Sequence, residues 1–232
     1  MKIASELPGG DEPFKTTPFT LLDELAEEEE SKGRIRLSNE NLILAAAERA
    51  FSRSGFRGTT MAQIADEAGL PKANLHYYFG NKQNLYLHLL NRILQDWLTP
   101  MDEIELNANP KAALEAYIRQ KMKLSFERPD ASKLFANELL QGANVIAPLL
   151  QTTLKELVLT KAAVIDSWIA VGKLKPVDSL HLFFSIWSMT QTYADFDIQI
   201  RAVLGPDADS EAAHERAVQH VLTIVFRTCG LE

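Results

Sequence analysis

Residues 51–90 read FSRSGFRGTTMAQIADEAGLPKANLHYYFGNKQNLYLHLL, and the punctuation inside this stretch decides the fold. Thr59 or Thr60 supplies a side-chain oxygen that can cap a helix, and Met61, Ile64, Ala65 and Ala68 then recur at helical spacing. Gly69 stops that helix, Leu70 fills the turn, and Pro71 suits the first turn of the next helix, where its missing N–H costs nothing. This next helix runs to Phe79–Gly80, with Leu75 and Phe79 four residues apart on one face. Two short helices joined by a tight glycine turn make a helix-turn-helix, and the second fits the major groove of duplex DNA, about 12 Å wide.

Working outward, Ser38 is placed to cap a first helix in which Leu42, Ile43, Ala46, Ala47, Ala50 and Phe51 form a stripe that Gly55 ends. Downstream, Asn81 caps a long fourth helix ending before Pro100, with Leu85, Leu89, Leu90, Ile93, Leu94, Trp97 and Leu98 apolar. Helical spacing continues over about 110–127, 131–140, 148–170, 177–204 and 210–228, without a strand pattern or a repeat. The expectation is an all-α chain. An acidic extension over 1–33 without stable structure precedes a helix-turn-helix domain over 34–84 and a helical body over 85–232.

Charge supports this division. The chain carries a net charge of -7, yet residues 34–92 hold eight basic and four acidic side chains, whereas residues 1–33 hold three basic and nine acidic. Affinity for phosphates follows the local footprint and not the whole-chain sum. The acidic extension reads as a solvated tail; the alternative is that its negative charge competes with DNA for that footprint. No apolar run reaches the roughly 18 residues that span a bilayer, and no secretory leader pattern is present, so the expected setting is cytoplasmic with no membrane partner. A single cysteine, Cys229, excludes an intrachain disulfide and a thiolate metal cluster. Neither a cofactor nor a metal is expected.

The polar set on or near the second short helix divides by role. Lys72 and Tyr77 are candidates for base edges or the thymine methyl, with Asn74 and His76 beside them. Thr60 could offer its hydroxyl to a phosphate at a helix start, and Lys82, joined by Tyr78 or His76, could reach the backbone across the groove. Arg34 and Arg36 read as a basic arm able to follow a phosphate strand or enter a minor groove.

The module over 38–98, above all AAAERAFSRSGFRGTTMAQIADEAGLPKANLHYYFGNKQNLY, resembles that of the TetR family of bacterial transcriptional regulators. The residues that carry the likeness are Phe51, Gly55, Thr60, Ile64, Ala65, Ala68, Gly69, Leu75, Tyr78, Phe79, Lys82 and Leu85. NRILQDWLTP, IWSMTQTYADF and WIAVGKLKPVD resemble, more narrowly, the RutR-type regulators of pyrimidine metabolism. The resemblance implies an all-helical homodimer on a palindromic operator, with an effector cavity in the C-terminal body. Repression released by ligand is the implied default, and a pyrimidine such as uracil or thymine is the implied effector. It points to Trp97 and Trp187 for the cavity, with Thr190, Gln191 and Tyr193 nearby in sequence. An indole face suits a planar ring, and polar groups interrupting an apolar helix suit directional contacts.

The last two helices also carry more apolar perimeter than a small body needs, at Phe183, Phe184, Val218, Val221, Leu222 and Val225. This suggests a two-fold seam between copies. Two alternatives stay open. A helical enzyme lacks support: His214 and His220 stand six apart, about 240° round a helix, and no HExxH pair or glycine-rich phosphate loop occurs. A helical interaction or ligand-sensing protein without specific DNA binding would share most of these features.

Overall fold

The computed structural model describes residues 18–231, with side chains from Arg34 onward. Every regular element among them is helical: α1 (Pro18–Gly58), α2 (Met61–Ala68), α3 (Lys72–Phe79), α4 (Lys82–Leu98), α5 (Pro110–Glu127), α6 (Pro129–Leu140), α7 (Ala147–Leu149), α8 (Lys155–Ala170), α9 (Ser179–Asp195), α10 (Asp197–Leu204) and α11 (Glu211–Cys229). No helix among the described residues is long and apolar enough to cross a membrane. The chain divides into two compact units between Leu42 and Ile43. The expected boundary at 84/85 runs inside the second unit, through the first turn of α4, because α4 packs against both α3 and α6.

Within the first unit, residues 1–17 of the acidic extension lie outside the described residues, and the backbone from Pro18 is helical. Ser38 therefore stands inside α1 and caps nothing. Leu42 is exposed, whereas Ile43, Ala46, Ala47, Ala50 and Phe51 form the buried stripe. Gly55 takes φ 67 and ψ 172, a left-handed value that kinks α1 one turn before its end.

In the second unit α5 and α9 pack against each other at the centre, flanked by α6, α8 and α11. The stripe on α5 runs Ala113, Leu114, Tyr117, Ile118, Lys121, Met122 and Ser125, and it meets Leu182, Phe183, Ile186, Thr190 and Ala194 of α9. The helix expected over 177–204 is broken at Phe196 (φ -118, ψ 32) into α9 and α10. Neither glycine nor proline marks this break. The carboxylates on either side of it are held from α6: Ser132 Oγ donates to Asp195 Oδ1 at 2.5 Å, and Lys133 Nζ lies 2.7 Å from Asp197 Oδ1. The helix expected from Pro148 begins as the short α7 and a wider turn over Leu150–Leu154 before α8 settles.

Two polar ties join α4 to its surroundings. Arg128, between α5 and α6, donates to Glu48 of α1 and Asp96 of α4, each at 2.5 Å. Tyr86 of α4 donates to the buried Glu138 carboxylate at 3.2 Å, and that group also accepts from the Val145 N–H at 2.8 Å. Burial and the adjacent Glu138 carboxylate raise the Tyr86 phenol above its ordinary pKa, so it stays a donor.

Candidate nucleic-acid interface and effector region

The helix-turn-helix forms as its punctuation requires. Thr60 caps α2: its Oγ accepts from the Gln63 N–H at 3.2 Å, and Gln63 Oε1 accepts from the Thr60 N–H at 2.8 Å. Gly69 is left-handed (φ 66, ψ 28), and the Leu70 N–H reaches the Ala65 carbonyl at 3.1 Å, closing the turn. Met61, Ile64 and Ala65 of α2 and Leu75 and Phe79 of α3 enter the core. The opposite face of α3 then carries Lys72, Ala73, His76 and Tyr77, with Tyr77 78% exposed. Tyr77 thus presents most of its ring to solvent on the face opposite the two core anchors.

The sequence-predicted contacts differ in what remains free. The Tyr77 ring meets Tyr78 edge-on at 5.1 Å, Tyr78 is half-buried, and so is Asn74. His76 Nδ1 lies 2.7 Å from the Gly80 carbonyl, which leaves Nε2 as its outward group. The Thr60 hydroxyl also donates to Gln63 Oε1 at 3.0 Å, so its proton is spent inside the capping box and is not offered to a phosphate. Lys82 points inward: Nζ donates to the carbonyls of Phe56 at 2.8 Å and Thr59 at 2.7 Å, and it lies 4.5 Å from the centre of the Phe56 ring. It clamps the end of α1 to the start of α4, with one N–H left over.

Arg34 and Arg36 lie on α1 and not on a flexible arm, and Arg36 Nε donates to Glu40 at 3.0 Å. The positive footprint is also smaller than its count. Glu67 of α2 takes Arg49 at 2.7 Å and pairs with Arg53, both of α1. The Arg53 hydrogen bond is the chief reason that the Glu67 carboxyl lies below its ordinary pKa. Sequence reasoning missed this brace. The signal was present as an acidic residue in a basic module, but its partners lie 14 and 18 residues away.

The predicted effector residues do not form one cluster. Trp97 is buried edge-on to Phe135 at 4.9 Å. Trp187 Nε1 donates to the Tyr117 hydroxyl at 2.7 Å, so its ring faces remain but its donor is used. Thr190 is fully buried, and its hydroxyl donates to the Ile186 carbonyl at 2.8 Å, satisfied within its own helix. Gln191 is half-buried on the same helix. Tyr193 faces a cleft of about 290 Å³ between α5, α10 and α11, where Phe126 and His214 stack at 3.8 Å.

One buried charged residue was missed by the sequence reading. Lys121 lies in the buried stripe of α5, 4% exposed, with Nζ 5.0 Å from the centre of the Trp97 ring. Its register was legible: it stands four residues after Tyr117 and three after Ile118, on a face otherwise apolar.

The expected dimer residues need correction as well. Phe183, Val218, Val221, Leu222 and Val225 are buried within the chain, because α9 and α11 pack against each other and against α5. Of the six only Phe184 is exposed, at 48%.

With this geometry in view, comparison with known proteins is direct. The model of the bacterial regulatory proteins of the tetR family matches residues 43–89, and that of the YcdC-like protein C-terminal region matches residues 90–232. The chain belongs to the TetR family. It is 41% identical over 195 residues to the HTH-type transcriptional regulator RutR of Escherichia coli K12, covering 84% of this chain and 92% of that one. In fold it is similar to the ketosteroid transcriptional regulator KstR2 of Mycobacterium tuberculosis, with TM-score 0.62 and 21% identity over 82% of this chain and 94% of that one. It is also similar to AibR, solved with isovaleryl coenzyme A and operator DNA, with TM-score 0.60 and 19% identity over 81% and 98%. As a TetR-family member the chain is a DNA-binding transcriptional regulator with a ligand-responsive C-terminal domain, and not an enzyme.

Proposed function

We propose that two copies of this chain bind a palindromic operator and repress transcription until a small planar effector of pyrimidine type loosens their hold. The observation that carries the DNA half is the outward face of α3: Lys72, His76 and Tyr77 are exposed while Leu75 and Phe79 fix the helix from behind. Lys72 and Tyr77 read base edges and the thymine methyl, and His76 acts through Nε2, with Asn74 and Tyr78 at the flanks. Arg34 and Arg36 contribute to phosphate contact from α1. Thr60 and Lys82 hold the geometry, and the remaining Lys82 donor is the only part of it offered to the backbone.

The pairing surface proposed here is the exposed face of α9 and α11. Phe184 and Ile224 (38% exposed) are its large apolar groups, and Ser185 and Ser188 are small enough for close helix approach. The pyrimidine assignment is supported by the likeness to RutR-type regulators and by the aromatic surroundings of Trp97 and Trp187.

The test is selection of bound genomic fragments by the purified protein, with and without uracil, thymine and related rings, beside light scattering at micromolar concentration. A palindromic consensus lost on adding one ring, from a dimeric sample, is expected. Equal retention of all fragments at low salt refutes the specific-binding reading, and a wholly monomeric sample refutes the pairing.

A further inference from the structure

Between the last two long helices stands α10, with none of its eight residues buried. Ile200 and Leu204 line the cleft that Tyr193 faces. At 100° per residue, Ile198 and Val203 fall on the other side of the helix with Gln199 and Ala202, and each of the two is 80% exposed. That outer side holds no charged residue, because Asp197 is taken by Lys133 at 2.7 Å and Arg201 by Asp209 at 3.3 Å. Phe196, at the break before α10, is 59% exposed, and at four-residue spacing it continues the outer ridge of α9 through Phe184, Ser188 and Thr192. A helix this short is marginal by itself and exposed ion pairs add little to it, so cover over the outer side is what would hold it.

The pairing face of α9 and α11 is, by contrast, poor in apolar surface. A large apolar side chain fully open to water presents on the order of 150–200 Å², so Phe184 at 48% exposure and Ile224 at 38% offer roughly 150 Å² between them. A stable interface takes about 800 Å² from each partner, and in homodimers about 65% of it is apolar, which is about 500 Å². Phe196, Ile198 and Val203 add roughly 400 Å² and close that gap. Their patch is continuous with the pairing face, since α10 packs on α9 and the turn over Gly205–Asp209 joins it to α11. We infer that α10 is a docking arm for a second copy of this chain: Phe196, Ile198 and Val203 are covered by that copy and supply most of the apolar grip, while α9 and α11 set the two-fold. This rests on the pairing proposed above and moves its energetic centre off the two long helices. It also makes the order of α10 a property of the pair.

The test uses the full chain in analytical sedimentation from nanomolar to micromolar concentration, on wild type, the double variant Ile198→Glu with Val203→Glu, Phe184→Glu and Leu140→Glu. Leu140, at the end of α6 and 84% exposed, is a control of the same chemistry outside the patch. Circular dichroism confirms that each variant is folded. The double variant places charge in the patch of both copies, so its pairing is expected to weaken by about 100-fold or more, with Leu140→Glu unchanged. Hydrogen exchange on wild type needs no variant: the α10 amides are expected to lose protection as the sample is diluted from dimer to monomer, while those of α5 keep it. A double variant that pairs as tightly as wild type, or α10 amides indifferent to that dilution, refutes the docking arm. If Phe184→Glu alone then dissociates, the seam of α9 and α11 stands without it. A wild type that is monomeric at micromolar concentration refutes both and leaves the patch to a different partner.

Discussion

Lys82 separates two physical roles that the sequence leaves indistinguishable, and Lys82→Ala measures which holds. Its ammonium donates to two carbonyls, at 2.8 and 2.7 Å, and rests over the Phe56 ring at 4.5 Å. A hydrogen bond from a charged group contributes about 1.5–3 kcal/mol, and the lower end applies at a half-buried site where water can replace the donor. Two such bonds and a cation–π contact worth about 0.5–1 kcal/mol give an expected loss of about 3.5–4 kcal/mol. With a urea slope of about 1–3 kcal/mol per molar, the unfolding midpoint falls by at least about 1 M at fixed protein concentration. A lysine whose work is phosphate contact behaves differently: stability holds, and the slope of log affinity against log salt falls by about 0.9. Urea titration and operator binding at several salt concentrations read the two quantities separately. Wild-type stability with a reduced salt slope would refute the clamp.

Tyr77→Ala is expected to leave stability within about 0.5 kcal/mol, since the ring is 78% exposed, while relaxing preference at one operator position; competition with substituted operators measures it. Arg128→Ala removes both ties at once, and about 1–3 kcal/mol is expected for a half-buried pair of contacts, read as a lower melting temperature. Lys121 has its folded pKa depressed to about 8 against an ordinary 10.5, so between these values the unfolded chain binds the extra proton. Stability of the unliganded protein therefore rises by up to about 3 kcal/mol from pH 8 to 10.5 relative to Lys121→Met, which lacks the titration. Parallel urea titrations in which both proteins change alike with pH would remove that account.

The helix-turn-helix was legible because its boundaries are written in residues with one physical use: Gly69 for a left-handed turn, Thr60 and Asn81 for caps; Pro71, expected in the first turn of α3, stands one position earlier as its extended N-cap (φ -56, ψ 139). Roles that depend on distant backbone were not. Nothing beside Lys82 in the sequence announces the carbonyls of Phe56 and Thr59, and a cap and a phosphate ligand look the same at Thr60. The break at Phe196 was hidden for a similar reason, since it coincides with side-chain ties from α6 and not with a local breaker. Apolar periodicity gave the right burial for Phe183 and Val221 but says nothing of which surface does the burying, so core was read as seam. Lys121 is the opposite case: a charged residue in apolar register, whose burial follows from its place on the stripe of Leu114, Tyr117, Ile118 and Met122.

The seventeen residues of α4 make a rod about 25 Å long. Its Lys82 end is fastened to the end of α1, and its other end carries Asp96 and Trp97, beside Arg128 and Lys121. Such a rod trades angle for distance. A swing of about 5° about the Trp97 end carries the far end some 2 Å, roughly the difference between a made and a broken hydrogen bond at a base edge. A slight displacement at the Trp97 end thus reaches the Lys82 end enlarged, because the length of the helix supplies the gearing.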